Sequence, residues 1–228
     1  EVGSTVELLN GSNVLGSVIA GNDGNFSITS IVLVDANYTL TVRATDLAGN
    51  TSVESVGLPI EIDTTAPNSP LITTTTALTN INTPVIEGTA EVGSTVELLN
   101  GSNVLGSVIA GNDGNFSITS SQLVDGIYTL TVRATDLAGN ASAISVGLPI
   151  EIDATVPNAP VITTDTALTN INTPVIEGTA EAGSTVELLN GTNVLGSVTA
   201  GNDGSFSITS SVLVDANYTL TVRATDLA

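Results

Sequence analysis

The sequence lacks several residue types on which protein chemistry commonly depends. It contains no cysteine, methionine, histidine or tryptophan, and its only three basic residues are arginines. Without cysteine and methionine there are no disulfides, no thiol chemistry and no soft-metal ligands. Without clustered lysine and arginine the chain has no means of gripping phosphates, so nucleic acid is excluded as a partner and an anionic membrane surface is disfavoured.

The residues that are present favour β-structure in an acidic protein. There are 23 acidic residues and a formal net charge of −20, and threonine, serine, glycine, asparagine and valine are abundant. This composition is typical of strands joined by frequent turns. No apolar run is long enough to span a membrane, which predicts no direct membrane insertion. The absence of cysteine is compatible with an extracellular location.

A long internal repeat determines the predicted architecture. The segment 1–10 recurs unchanged at 91–100, and it recurs at 181–190 with Ala182 in place of Val2. A period of this length is too long for a solenoid repeat and suits a small sandwich domain. We therefore expect a partial repeat at 1–63 without its first two strands, a complete repeat at 64–153, and a partial repeat at 154–228 without its last strand.

The complete repeat predicts an all-β, immunoglobulin-like sandwich of seven strands. Alternation of apolar and polar residues indicates strands near residues 71–75, 85–89, 95–100, 104–110, 128–135 and 144–152, and a further strand, the fifth in order, with Phe116 and Ile118 facing inward. Residues 79–82 are expected to form a turn, and Asn100-Gly101 a hairpin. In the last strand, Ile144 and Val146 are expected to face inward, and Pro149 to face outward and mark an edge strand.

Tyr128 begins the sixth predicted strand, after Asp125-Gly126-Ile127, in a pattern that resembles a tyrosine corner, in which the hydroxyl bonds to an upstream backbone group. Tyr38 and Tyr218 repeat it. We interpret all three as structural residues.

Acidic residues recur at one end of each predicted repeat. If successive strands reverse direction, the turns after strands two, four and six return to the pole at which the preceding linker enters. The first junction then gathers Asp63, Glu91, Asp113 and Asp136, and the second gathers Asp153, Glu181, Asp203 and Asp226. At about 4 Å and an effective dielectric near 20, each pair of carboxylates repels by roughly 4 kcal/mol.

A calcium ion would relieve this repulsion, because Ca²⁺ takes six to eight oxygen ligands from carboxylates, carbonyls and water. Thr64, Thr65 and Asn140 could complete the shell. The alternative is that each aspartate only hydrogen-bonds its own turn. For Asp113 the turn interpretation is the stronger one, for Asp63 and Asp136 the ligand interpretation is stronger, and Glu91 lies between.

Three motifs together resemble a known family. They are the turn at 134–140 (ATDLAGN), the linker at 62–67 (IDTTAP) and the turn at 87–94 (EGTAEVGS). They resemble the bacterial Ig-like repeats of giant type I-secreted, RTX-type biofilm adhesins. The resemblance implies calcium-rigidified stalk domains, with Asp63 and Asp136 as ligands at one junction and Asp153 and Asp226 at the next. Val156 departs from the family's linker alanine.

The predicted function is that of a structural extender of a bacterial cell-surface adhesin, whose partners are the neighbouring repeats of the same chain. An enzyme is disfavoured because, without histidine, cysteine or lysine, only carboxylates and hydroxyls could act, and the same set occurs in every repeat. A lectin-like module is disfavoured because no aromatic sugar platform is apparent. The alternative is a self-assembling extracellular fibre or sheath in which incomplete repeats complete one another through homotypic chain–chain contacts.

Overall fold

Strands joined by short turns make up the regular structure of the chain, in a computed structural model that describes residues 1–165 and 168–228. No helix in these ranges is long and apolar enough to cross a membrane. Within these ranges the strands group into five sheets. The fold is therefore all-β, as the alternation of apolar and polar residues predicts.

The first repeat contributes one sheet, with strands in the order β2-β1-β3-β4. Its strands are β1 (Thr5–Asn10), β2 (Asn13–Ile19), β3 (Ala36–Thr45) and β4 (Leu58–Ile62). All of its pairings are antiparallel.

The middle repeat contributes two sheets, of order β10-β7-β5 and β6-β12-β11-β8-β9. Its strands are β5 (Leu71–Ile72), β6 (Leu78–Thr79), β7 (Val85–Thr89), β8 (Thr95–Asn100), β9 (Asn103–Ile109), β10 (Asn115–Thr119), β11 (Gly126–Thr135) and β12 (Leu148–Ile152). Between the sheets lies a core of buried side chains: Ile86, Val96, Leu98, Ala110, Phe116, Ile118, Leu123, Leu130, Val132, Ile150 and Ile152. Apart from Ala110 and Leu123, which lie between strands, these residues occupy the inward positions of alternating strands, so the predicted sandwich is confirmed.

The third repeat contributes sheets of order β13-β14-β17 and β16-β15-β18. Its strands are β13 (Val161–Ile162), β14 (Val175–Thr179), β15 (Thr185–Asn190), β16 (Asn193–Thr199), β17 (Ser205–Thr209) and β18 (Leu220–Thr225). Its core repeats that of the middle unit, with Val186, Leu188 and Phe206 buried.

The middle repeat has eight strands rather than seven, because the predicted first strand ends early, at Ile72, and an additional short strand, β6, follows it in the other sheet. The backbone N–H groups of Thr73 and Thr74 both donate to the carbonyl of Glu87, and the Thr74 hydroxyl accepts the N–H of Glu87. This arrangement ends β5 after Ile72. The chain then crosses to the other sheet, where β6 pairs in parallel with β12. Thr79 therefore lies in a strand and not in the expected turn.

The segment before β12 corrects the predicted last strand. Ile144 and Val146 are 59% and 88% exposed, so the inward orientation expected for them is wrong. Ser142 and Ser145 are buried instead. The Oγ of Ser142 accepts the N–H of Ala134, that of Ser145 accepts the N–H of Val132, and both serine N–H groups donate back to β11 carbonyls. This segment is therefore held against β11 by two serine side chains three residues apart, and not by the period-two pairing of a regular strand.

Pro149 is exposed, as expected, and lies opposite Thr129 of β11. The strand that contains it is not an edge strand along its whole length, because β6 pairs with Glu151 and Ile152. The proline lies outside that stretch, where its missing N–H removes no pairing with β6.

Two turn predictions are confirmed. Gly101 lies at the first position of the two-residue loop between β8 and β9 with a φ of 60°, which is the requirement of a type II′ hairpin turn. Tyr128 Oη donates to the carbonyl of Val124 at 2.8 Å, and Tyr38 and Tyr218 make the same bond in their repeats. These are the bonds of a tyrosine corner.

Candidate functional site

A cleft of about 310 Å³ at the first junction brings together three of the four acids predicted there. Glu61 and Asp63 come from the end of β4 and the linker, Glu91 follows β7, and Asp136 follows β11. Asp63, Glu91 and Asp136 are predicted ligands, whereas Glu61 is an acid that the sequence analysis did not select. Four acids from three chain segments therefore line one cleft.

The turn after β11 is held by Asp136. Its Oδ1 accepts the backbone N–H of Asn140 at 2.8 Å, and its Oδ2 accepts the Asn140 side-chain amide at 2.9 Å. Partial desolvation raises the pKa of Asp136, but the bonds from Asn140, together with those from the backbone of Gly139 and Ala138, outweigh it and hold the pKa below its ordinary value. Asp136 is therefore ionised at neutral pH.

Asn140 also connects the two repeats. Its Nδ2 donates to the backbone carbonyl of Asp63 at 3.1 Å, so the turn of the middle repeat is bonded directly to the linker. The carboxylate of Asp63 accepts the N–H of Thr65 at 3.0 Å. Asp63 thus makes a hydrogen bond within its own turn, as the alternative to a ligand role predicts, and it also lines the cleft.

Asp113 does not join this group. It lines a separate opening with Thr73, Glu87 and Asn115. Its Oδ1 accepts the N–H of Asn115 at 3.0 Å and its Oδ2 accepts the Asn115 side chain at 2.6 Å. Bonds from the backbone and then the side chain of Asn115 hold the pKa of Asp113 below its ordinary value. Its observed bonds are those of the turn interpretation.

At the second junction the predicted acids make local bonds of the same kind. The carboxylate of Asp153 accepts the N–H of Thr155 at 3.3 Å, and that of Asp226 accepts the N–H of Ala228 at 3.1 Å. Asp203 accepts the N–H and the hydroxyl of Ser205, and the backbone carbonyl of Glu181 accepts bonds from Ser184. The carboxylates of Asp153, Asp203 and Asp226 are therefore bonded within their own turns, whereas Glu181 is bonded through its backbone carbonyl.

No cationic side chain offsets the charge of the junction cleft. Arg133 pairs with Glu97 at 2.8 Å in the middle of the β11–β8 ladder, and Arg43 and Arg223 pair with Glu7 and Glu187 in the same way. These three arginines are the only basic side chains of the sequence. The acids of the cleft therefore have no protein counter-ion.

The donor set of the cleft fits a hard cation, but its arrangement does not form a finished metal site. Carboxylates and the linker carbonyls are the ligands that Ca²⁺ prefers. Nevertheless, across residues 1–165 and 168–228 no three or more acidic side chains are grouped so that they could hold a metal ion. Ion binding at this cleft would require its carboxylates to turn toward a common point.

The turn bonds of Asp113 predict a pH-dependent contribution to stability. A carboxylate whose pKa is lowered by folding stabilises the folded state above the unfolded-state pKa of about 3.9, and this contribution is lost as the pH falls through the folded value. We expect wild type to melt above Asp113→Asn at pH 7 in chelator, with the two melting temperatures converging below pH 4. Asp203→Asn, the equivalent change in the third repeat, should behave alike. A difference that does not change with pH would contradict this role.

Comparison with known protein families identifies the repeats. The bacterial Ig-like domain family matches the chain three times, at residues 1–64, 72–154 and 161–228. The chain belongs to this family. The bacterial Ig-like repeats account for nearly all of its length, and they place the candidate cleft between two consecutive family members.

Similar segments occur in larger proteins. The chain is 32% identical over 158 residues to Chitinase A1 of Niallia circulans, a match that covers 65% of the chain and 22% of that protein. It is 30% identical over 216 residues to Exoglucanase B of Cellulomonas fimi, covering 84% of the chain and 19% of that protein. The chain thus spans about a fifth of the length of these relatives.

Several solved structures are similar at lower identity. The fibronectin(III)-like modules of Clostridium thermocellum CbhA match with 23% identity and a TM-score of 0.44, covering 67% of this chain and 78% of that one. The BSP domain of a biofilm associated protein matches with 19% identity and a TM-score of 0.30, covering 85% and 40%. An ICAM-5 D1–D4 fragment matches with 17% identity and a TM-score of 0.42, covering 99% and 67%.

Proposed function

We propose that this array of bacterial Ig-like repeats is a structural extender of a bacterial cell-surface adhesin, stiffened at its junctions by calcium. The observation that supports this most is the cleft in which Asp63 of the linker lies with Glu91 and Asp136 of the following repeat. A cation shared by these residues would tie the linker to the next domain. A ligand within one repeat would have no such effect on the joint.

The electrostatics of the cleft favour a divalent ion. Four acidic residues line it, and the arginines form ion pairs with glutamates on the strands. Each carboxylate offers about four lone-pair positions, so Asp63 and Asp136 can keep some of their turn bonds while turning toward an ion. The asparagine bond between Asn140 and the Asp63 carbonyl already holds the two sides together. Calcium would then add to a joint that is partly ordered without it.

The expected affinity matches an extracellular setting. Extracellular calcium modules bind with dissociation constants of about 0.1–1 mM. At ten times the dissociation constant, an ion adds about 1.4 kcal/mol of stability per site. Sandwich domains with strands of this length extend roughly 40 Å each, so stiff joints convert many repeats into a long spacer.

We expect calorimetric titration of the chain to detect calcium binding in the millimolar range, and Asp63→Ala combined with Asp136→Ala to remove the part of it that belongs to the first junction. The matched control is Asp23→Ala combined with Asp46→Ala, which removes turn aspartates of the first repeat from outside the cleft. Binding that is equal in both double variants would reject the cleft as the site. The absence of any calcium binding would reject the ion-stiffened array.

A further inference from the structure

Each of the first two repeats carries an aspartate that holds the linker leaving that same repeat. Asp35 directly precedes β3, and in the β3–β4 ladder Ala36 pairs with Ile62. The carboxylate therefore lies beside the first residues beyond β4. Its Oδ1 accepts the backbone N–H of Thr64 at 3.0 Å and the Thr64 hydroxyl at 2.7 Å, and its Oδ2 accepts the Thr65 hydroxyl at 2.5 Å.

The second repeat reproduces this contact. Asp125 precedes β11, whose residue Gly126 pairs with Ile152 at the end of β12. Its Oδ1 accepts the N–H of Ala154 at 2.9 Å, and its Oδ2 accepts the hydroxyl of Thr155. Ala154 stands where the first linker has Thr64, so this contact has two hydrogen bonds where the first has three.

We propose that Asp35 and Asp125 are positioning residues that set the direction in which each linker leaves its repeat, and that they do so without a metal ion. The side chain continues the strand ladder past its last pair, so the linker stays aligned with the strand from which it emerges. A proline, Pro67 or Pro157, lies two residues beyond the last linker residue that the aspartate bonds. Its fixed φ restricts the backbone conformations of the linker further.

The bonding pattern supports a role at the joint. At the first junction the three linker residues 63–65 are bonded from both sides, by Asp35 of the preceding repeat and by Asn140 of the following one. Bonds to a charged acceptor are about twice as strong as neutral ones. The hydroxyls of Thr65 and Thr64 lower the pKa of Asp35, and the hydroxyl of Thr155 followed by the Ala154 N–H lowers the pKa of Asp125.

We call the bonds of Asp35 to Thr64 and Thr65, and those of Asp125 to Ala154 and Thr155, the clasp. The clasp depends on the tandem arrangement of the repeats but not on the proposed calcium site. None of its contacts involves Glu91 or Asp136, and its atoms are satisfied by protein donors. It therefore predicts that Asp35 and Asp125 restrict the joints in chelator, an effect that the calcium proposal does not predict. The two ideas can fail separately.

The absence of cysteine allows the joints to be measured one at a time. Ser17, Ser107 and Ser197 are exposed and occupy equivalent positions on β2, β9 and β16. The pair Ser17→Cys and Ser107→Cys, spin-labelled, reports the distance across the first joint. The pair Ser107→Cys and Ser197→Cys reports the distance across the second. Both distance distributions would be recorded by pulsed electron spin resonance in chelator and in calcium.

In chelator we expect Asp35→Ala to broaden the distances across the first joint and to leave those across the second unchanged. Asp125→Ala should do the reverse. Thr64→Ala should broaden the distance distribution across the first joint until it is about as wide as that across the second. Ala154→Thr should narrow the distribution across the second joint. Asp35→Asn, which keeps an acceptor for the Thr64 N–H, should restore part of the narrow distribution.

Asp23→Ala serves as the control, because that aspartate bonds only within its own turn, to Asn25. Unfolding curves of each variant separate a joint effect from loss of the repeat, since a clasp variant should keep a folded β-sheet spectrum. A distribution in chelator that is unaltered by Asp35→Ala and by Asp125→Ala would overturn the clasp. If calcium has no effect on any variant while the clasp variants still broaden, the proposed calcium site fails and the clasp stands.

Discussion

Leu98→Ala is expected to destabilise the middle repeat by about 2–5 kcal/mol, because it leaves a cavity in a closed core. Leu98 lies in β8, flanked by β11 and β9, and its side chain is fully buried between the two sheets. The loss should appear as a lower denaturant midpoint for the unfolding transition of this repeat. A two-state analysis applies to that transition only, since the chain contains several repeats.

Leu137→Ala is the matched control for this change. Leu137 is 95% exposed at the tip of the turn after β11, so its removal should alter the free energy of unfolding by no more than about 0.5 kcal/mol. Both variants would be measured in chelator to keep ion binding out of the comparison. Equal effects of the two substitutions would contradict the sandwich core described above.

Replacing Ser142 and Ser145 together by alanine is expected to destabilise the middle repeat by about 2–6 kcal/mol, since each change leaves a buried N–H without an acceptor at about 1–3 kcal/mol. The N–H groups concerned are those of Ala134 and Val132, both bonded at 3.0 Å. Both residues of β11 are fully buried, so water cannot replace the lost acceptors. Thermal and denaturant unfolding of the double variant would measure the effect.

The first repeat supplies a control with the same hydrogen bonds. Ser52 and Ser55 accept the N–H groups of Ala44 and Val42, also at 3.0 Å, but both serines are exposed. Ser52→Ala combined with Ser55→Ala should therefore cost much less, because water can take over the bonds. If the two double variants cost the same, burial is not the cause of the predicted loss.

The repeat and its alternating strands could be predicted from the sequence because each depends on local pattern. Strands such as Thr95–Asn100 follow directly from the period of two, since one face of each strand must be buried. The tyrosine bonds were predictable for the same reason, as they connect residues only four positions apart. These two features could be predicted because each is determined by residues close together in the sequence.

Features set by contacts between distant segments could not be read in this way. The segment around Ser142 and Ser145 shows alternating apolar residues, yet its backbone is organised by hydroxyl bonds to β11. The identical sequence FSIT forms part of β10 in the middle repeat but is not a strand at 26–29, where Phe26 is 47% exposed against 4% for Phe116. Pairing with β7 decides the difference.

The candidate site was predicted in part. Strand reversal correctly places Asp63, Glu91 and Asp136 around one cleft. It does not predict the direction of each carboxylate, and Asp113 turns into its own loop. The sequence analysis did not select Glu61 and Asp35. It considered only the linker and the turns at the pole where the linker enters a repeat, whereas Glu61 lies at the end of β4 and Asp35 in the loop before β3. The ladder register, which pairs Ala36 with Ile62, was the signal that could have found Asp35.

The central claim is that calcium stiffens the junctions, and small-angle X-ray scattering of the intact chain tests it most directly. Scattering and melting temperature would be recorded in millimolar calcium and in excess chelator, for wild type and for Asp63→Ala combined with Asp153→Ala. The account predicts a larger maximum dimension and a higher melting temperature for wild type in calcium, with both gains lost in the variant. If calcium changes neither quantity for wild type, the junction acids are ordinary turn residues, and a passive spacer or a self-pairing fibre becomes the better explanation.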